Sequence, residues 1–304
     1  MNKFNYLLLS LTVLIFSCQS KTENTSGKIR VVTTTGMIKD AAEKITGEAA
    51  DVTALIGPGV DPHLYKASQG DLEKLTNADI IFYNGLHLEG KMGEVLEKLG
   101  RLKPVIAISK DIPDSLLRTA PGFAGAHDPH IWFNVKLWKH AVTTIKNELT
   151  LRYPEKAKVF SSHAADYLIE LDALHQEVSE QILKIPASQR VLITAHDAFG
   201  YFGDAYHIEV RGLQGISTLS EFGLRDVTEL VSFITERKIK AVFIESSVSE
   251  KSIRAVVDGC QQKNWRVVIG GTLYSDAMGA WNSPEGTYTG MVRANVKTIT
   301  DALK

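Results

Sequence analysis

The segment between Pro154 and Pro186 constrains the fold more than any other part of this 304-residue chain. Val159, Tyr167, Leu171, Leu174, Val178 and Ile182 recur through it at helical spacing, Pro154 suits a first helical turn, and Pro186 closes the run. About 30 residues rising 1.5 Å each give a rod near 45 Å, long enough to run through two lobes. A single helix of that length is a stiff connector, so residues 154–186 are expected to fix the spacing of what lies on either side.

The two flanks share one scheme. Short β-rich runs at residues 30–34, 51–56, 79–83 and 105–108 alternate with helical stretches such as 38–45 and 91–99. Beyond the connector, runs at 191–194, 208–213, 241–245 and 266–269 repeat the pattern. Alternation of this kind implies parallel sheets covered by helices on both faces. The expected architecture is α/β, with two lobes, residues 28–153 and 187–304, each built on a mostly parallel four-stranded sheet and joined by one long rigid helix.

Against that frame, the tripeptide Asp-Pro-His occurs twice, as Asp61-Pro62-His63 and Asp128-Pro129-His130, each followed two residues later by an aromatic, Tyr65 and Trp132. Proline fixes its own φ and biases the residue before it away from the helical region, so each histidine leaves a stiff arm. Either tripeptide alone reads as a turn with a capping Asp; the pair suggests a metal site closed by the fold. In open parallel sheets, ligands bind beyond the carboxyl ends of the strands. His63 follows the strand ending near Ile56, His130 precedes a helix beginning near Val135, His196 ends the run from Val191, and Asp276 follows a strand ending near Gly270. Three imidazoles and one carboxylate, two from each half, could therefore converge in the cleft between lobes. They would close a tetrahedral shell around Zn²⁺, or a distorted one around Mn²⁺ if the carboxylate binds through both oxygens, with Fe²⁺ also open. A competing reading keeps the three histidines as zinc ligands and makes Asp276 the base of a lipid-anchored hydrolase.

The N-terminus indicates where the chain works. Lys3 precedes an apolar run from Tyr6 to Phe16, too short to span a bilayer but suited to a signal-peptide core. Ser17-Cys18 directly after it resembles a bacterial lipobox, which makes residues 1–17 a lipoprotein signal peptide and Cys18 the lipidated residue. Residues 18–27 read as a flexible tether. Removing Lys3 with the signal leaves 33 Lys and Arg against 35 Asp and Glu, so no net positive charge exists to hold nucleic acid. With Cys18 lipidated, Cys260 is the only thiol left, expected to be half-buried and inert.

Four segments carry a family resemblance. They are Gly57 to Tyr65, Asp128-Pro129-His130-Ile131-Trp132, Thr194-Ala195-His196-Asp197-Ala198-Phe199-Gly200-Tyr201-Phe202, and Leu273-Tyr274-Ser275-Asp276-Ala277-Met278-Gly279 with Gly286-Thr287-Tyr288 behind it. From about Lys28 to its end the chain resembles the metal-binding lipoproteins of zinc and manganese ABC transporters. The resemblance implies His63, His130, His196 and Asp276 as ligands and an interlobe metal site. It also implies a monomer anchored to a membrane through Cys18, facing the periplasm or the cell exterior. Such a protein delivers a divalent cation to a permease with its cytoplasmic ATPase and catalyses nothing. Some relatives carry an adhesin label, which is secondary. The chain departs from the family where Phe133-Asn134-Val135 replaces the frequent Leu-Asp-Pro; Asn134 can still cap the following helix. It also lacks the long histidine-rich loop of many zinc-specific members, leaving only His127, read as a solvated loop residue.

Other candidates are weaker. Glu245 is placed to support a ligating histidine, and equally well to act as a helix-capping or interlobe carboxylate. Asp61, Asp128 and Asp197 are expected to form turns, because adjacent side chains point apart. His87, His140, His163, His175 and His207 are assigned surface or structural roles without partners. Gly85-Leu86-His87-Leu88-Glu89-Gly90-Lys91 matches the spacing of a phosphate loop, but Met92 stands where Ser or Thr belongs and Glu89 would repel a phosphate, so it reads as a strand-to-helix turn. Neither His-Glu-x-x-His nor Gly-x-Ser-x-Gly occurs.

Overall fold

Strands and helices alternate through the computed structural model, which describes residues 27–120 and 125–304. The expected signal segment 1–17, Cys18 and the tether up to Ser26 lie outside the described residues. The first half contains β1 (Ile29–Thr33), α1 (Gly36–Thr46), β2 (Ala50–Ala54), α2 (Gln69–Asn77), β3 (Ile80–Tyr83), α3 (Gly93–Gly100), β4 (Val105–Ala107) and α4 (Val135–Arg152). Its sheet is wholly parallel in the order β2-β1-β3-β4. Ile80, Ile81 and Phe82 are all buried, as expected where both faces of a parallel sheet are covered.

A 3₁₀ turn at Pro154–Lys156 leads into α5 (Ala157–Leu183), 27 residues and about 40 Å long. Its buried stripe is Phe160, Ala164, Tyr167, Leu171, Leu174, Val178 and Ile182. Val159, expected on that stripe, is exposed. Counting back from Ala164, four residues returns to the same helix face and five does not, so Phe160 takes the position.

The second half contains β5 (Val191–His196), α6 (Gly200–Tyr206), β6 (Glu209–Gln214), α7 (Leu224–Arg237), β7 (Ala241–Glu245), α8 (Lys251–Gln262), β8 (Val268–Leu273) and α9 (Tyr288–Leu303). Its four strands form two parallel hydrogen-bonded pairs, β5 with β6 and β7 with β8, and β5 lies beside β7. The last strand runs to Leu273, beyond its expected end at residue 269. Gly270-Gly271 acts as a bulge rather than a stop, with Gly271 at φ 146°, and the pairing shifts register opposite Val242 and Phe243.

The largest apolar cluster belongs to both halves. It joins Met37 of α1, Trp138 of α4, Leu171 of α5, Phe199, Leu273 and Tyr288. Two smaller clusters lie outside it, one under α2 and α3 and one under α7 and α8. Cys260 is fully buried in the latter, not half-buried, and burial pushes its thiol up to about 11. No described helix is long and apolar enough to cross a membrane.

Candidate metal centre

Both Asp-Pro-His arms use the same local device. The Asp61 Oδ1 accepts the backbone N–H of His63 at 2.8 Å, and Asp128 Oδ1 accepts that of His130 at 3.0 Å, so each Asp closes a turn that aims its own histidine. Asn134 Oδ1 accepts from the N–H groups of Lys136 and Leu137 and starts α4 behind the second arm. From the second half, His196 is the last residue of β5, and Asp276 stands three residues beyond β8.

The four side chains meet, all buried, with one ligand atom from each within 4.8 Å of the others. His63 Nε2 lies 3.3 Å from His130 Nε2. Asp276 Oδ1 is 3.4 Å from His130 Nε2, while its Oδ2 is 3.2 Å from His196 Nε2 and 3.8 Å from His63 Nε2. Corners of a tetrahedron with bonds of about 2.0–2.1 Å stand about 3.3 Å apart, so the spacing suits a small divalent ion. Neither Asp276 oxygen nor His196 Nε2 makes a well-directed hydrogen bond among the described residues, an unusual state for buried polar atoms. A cation among them would satisfy all three.

Carboxylates stand behind two of the imidazoles. Glu245, at the end of β7, places Oε2 2.6 Å from His196 Nδ1 and accepts the His196 backbone N–H on Oε1 at 2.8 Å. Asp128 Oδ1 lies 2.7 Å from His130 Nδ1. Its expected role was limited to a turn. The expectation that neighbours point apart holds for adjacent residues, whereas the intervening Pro129 brings positions two apart to the same side.

These neighbours set the charge of the ion-free site. Burial opposes a proton on His130, yet Asp128 and Asp276 outweigh it and hold the ring up at about 9. The same contest at His196 is won by Glu245 and Asp276, which raise it well above the usual imidazole range. Burial takes His63 down to about 3, with His130 and His196 adding to the fall against the opposing pull of Asp276. Burial would raise Asp276, but the His196 and His130 rings hold its carboxyl well below the usual range. Without an ion, the carboxylates around these two rings favour protons on them.

The loop with phosphate-loop spacing is filled by its own carboxylate. Glu89, buried, accepts from Thr34 Oγ1 at 2.7 Å and from the N–H groups of Asn84 and Gly85 at 2.7 and 3.3 Å. That is the crevice between β1 and β3 where the strand order reverses, the usual ligand position of an open sheet. Asn84 Nδ2 in turn donates to the Pro129 carbonyl at 2.9 Å and steadies the second arm. Of the remaining histidines, two have partners that the sequence did not reveal: His163 Nδ1 donates to the Ile45 carbonyl at 3.1 Å, and His175 Nδ1 lies 3.2 Å from the Tyr206 hydroxyl. His127, expected in solvent, lies 2.9 Å from Asp114 and lines a cavity of about 730 Å³ with His63, His87, Ser217 and Ser220. Among the four converging residues only His63 borders that cavity.

Comparison with known proteins places this arrangement in context. The family described as "Zinc-uptake complex component A periplasmic" (ZnuA) matches residues 31–302. The chain is 53% identical over 277 residues to the manganese-binding lipoprotein MntA of Bacillus subtilis, covering 91% of this chain and 90% of that protein. It is 47% identical over 293 residues to the zinc-binding protein TroA of Treponema pallidum, covering 96% and 94%. The solved structure of periplasmic zinc-binding TroA superposes with a TM-score of 0.89 at 49% identity, over 91% of this chain and 99% of that one. The manganese ABC transporter substrate-binding lipoprotein PsaA of Streptococcus anginosus is 28% identical over 305 residues, covering 98% and 96%.

Proposed function

The chain belongs to the zinc-uptake complex component A family, and from that premise we propose that it is the extracytoplasmic substrate-binding protein of an ABC transporter for Zn²⁺ or Mn²⁺. His63, His130, His196 and Asp276 hold the ion, and Glu245 and Asp128 orient two of the histidines through their Nδ1 atoms. The protein is a monomer, tethered to a membrane by lipid on Cys18 and facing the periplasm or cell exterior. It passes its ion to a membrane permease driven by a cytoplasmic ATPase.

The observation that carries this reading is the convergence of three imidazole Nε2 atoms and both Asp276 oxygens in one buried cluster. A hydrolase would need Asp276 set back as a base, with an open coordination position for water. Here the carboxylate stands among the imidazoles, 3.2 Å from the nearest nitrogen. The relatives compared are named as binding proteins. Three nitrogens and one carboxylate suit Zn²⁺ by ligand softness, and a carboxylate presenting both oxygens suits Mn²⁺ as well; Fe²⁺ meets the same donors.

The test is metal analysis of the chain from residue 19 onward, purified without chelator, followed by competition between Zn²⁺ and Mn²⁺. One tightly held ion per chain is expected, lost in His63→Ala and Asp276→Ala variants that remain folded. A chain that holds no stoichiometric ion after reconstitution sinks the reading.

A further inference from the structure

The two Asp-Pro-His arms are tied to the second half of the chain very unequally. Around His130, Trp132 Nε1 donates to the Ser275 carbonyl at 2.9 Å, Tyr288 Oη donates to the Trp132 carbonyl at 2.7 Å, and Tyr201 Oη donates to the Asp128 carbonyl at 2.9 Å. Around His63, among the described residues and apart from the ligand cluster itself, residues 57–68 make one hydrogen bond to the second half. It runs from Thr218 Oγ1 to Asp61 Oδ2 at 2.6 Å.

The position of that single bond matters. Asp61 is the residue whose other oxygen takes the His63 backbone N–H, so one carboxylate links Thr218 to the turn that aims His63. Thr218 is itself fixed from behind: Gln214 Nε2, at the end of β6, donates to the Thr218 carbonyl at 2.8 Å and to that of Ser220. β6 pairs with β5, which ends in His196. Ser217, Leu219 and Ser220 face the same cavity that His63 borders, so on this side the cluster adjoins open space and not packed core.

Building on the transport reading above, we propose that Thr218 is a positioning residue for ion retention. Its hydroxyl, acting through Asp61, holds His63 on the ion, and parting of this bond is the step that releases His63 first, on the cavity side. The other arm stays in place because three hydrogen bonds hold it. A hydroxyl donating to a partly buried carboxylate is among the stronger neutral-to-charged hydrogen bonds, which makes one such contact sufficient to set a rate.

The experiment loads the chain with Zn²⁺ and follows ion loss to excess EDTA, extrapolated to zero EDTA, together with the association rate. Thr218→Val should release Zn²⁺ about tenfold faster, equivalent to about 1.4 kcal/mol, with association changed less than twofold and the metal-free variant still folded, with a cooperative unfolding transition well above the assay temperature. Thr218→Ala, which adds no bulk, should behave the same, and Thr218→Ser should restore release to within about threefold of the parent. Release from Thr218→Val and Thr218→Ala at the parent rate overturns the proposal. So does a Ser variant as fast as Ala, which would assign the effect to the methyl group, and so does an equal change in both rate constants, which would assign it to passage through the cavity. A parent chain that holds no Zn²⁺ overturns the transport reading as well, whereas a parent that holds it and indifferent variants overturn this inference alone.

Discussion

Glu245 meets His196 at two points, its Oε1 on the backbone N–H at 2.8 Å and its Oε2 2.6 Å from ring Nδ1. One carboxylate therefore fixes both where the residue sits and how its ring is turned, leaving Nε2 aimed at Asp276. Glu245→Gln keeps the shape and removes the charge. Its metal affinity should fall by about 10–100-fold while one ion per chain is still bound at saturation. Competition with a chromophoric chelator measures this, and parental affinity in the variant would remove Glu245 from any supporting role.

Metal binding should expel about two protons at pH 7, because His130 is held at about 9 and His196 is raised well above its ordinary value. The sign follows directly. Protonated rings compete with the ion, so binding strengthens as the pH rises through neutrality, and the gain continues up to at least about 9, where His130 loses its proton. Ordinary imidazoles would end the gain above about 6.5. Calorimetry in buffers of different ionisation enthalpy counts the protons; a count near zero at pH 7 would refute the assignment.

Asp40 predicts a stability effect remote from the ion. It is buried on α1, accepts from Tyr167 Oη of α5 at 3.2 Å and from the Tyr288 N–H of α9 at 3.3 Å, and burial raises it to about 6. A carboxyl raised in the folded state favours the fold most below its unfolded value of about 3.9, and that contribution is lost as the pH climbs through about 6. The full swing is about 3 kcal/mol. Asp40→Asn should therefore lift the metal-free unfolding midpoint at pH 7.5 relative to the parent and lose that advantage at pH 4. Identical gains at both values would contradict the argument.

Gly212 sits where β6 crosses close to the end of β5. A Cβ there would stand 2.4 Å from the Asp197 backbone nitrogen and 2.6 Å from the His196 carbonyl carbon, contacts that only backbone movement relieves. Gly212→Ala should displace His196 and lower metal affinity at least tenfold, more than it lowers the unfolding midpoint would suggest. Isothermal titration beside thermal melting separates the two effects.

What the sequence could disclose was whatever a few neighbouring residues decide among themselves. The stiff Asp-Pro-His arms, the Asn134 cap and the rod behind Pro154 are local, and the converging residues can be picked out because strand ends in a parallel sheet share one side. Periodicity alone does not fix phase at a helix end, which is why Phe160 and not Val159 takes the buried position on the rod. The contact of Asp128 with the His130 ring depends on how Pro129 bends the chain, which spacing alone does not show. The contact between Thr218 and Asp61 joins positions 157 apart, and no spacing rule reaches that far. Glu89 was legible only as an obstacle to phosphate; that it occupies the crevice itself required seeing Thr34 and Asn84 beside it.

An apolar interior common to both halves ties the largest packed core of the described residues to both sides of the candidate ion site. An ion seated at one point then protects the whole polypeptide. At a free concentration a thousand times the dissociation constant, occupancy adds about 4 kcal/mol to the unfolding free energy and thins the unfolded population about a thousandfold. Where proteases sample that population faster than it refolds or slower, loaded molecules outlast empty ones. Supply of the metal would thereby set how long each molecule lasts, with the ion itself acting as the stabilising signal.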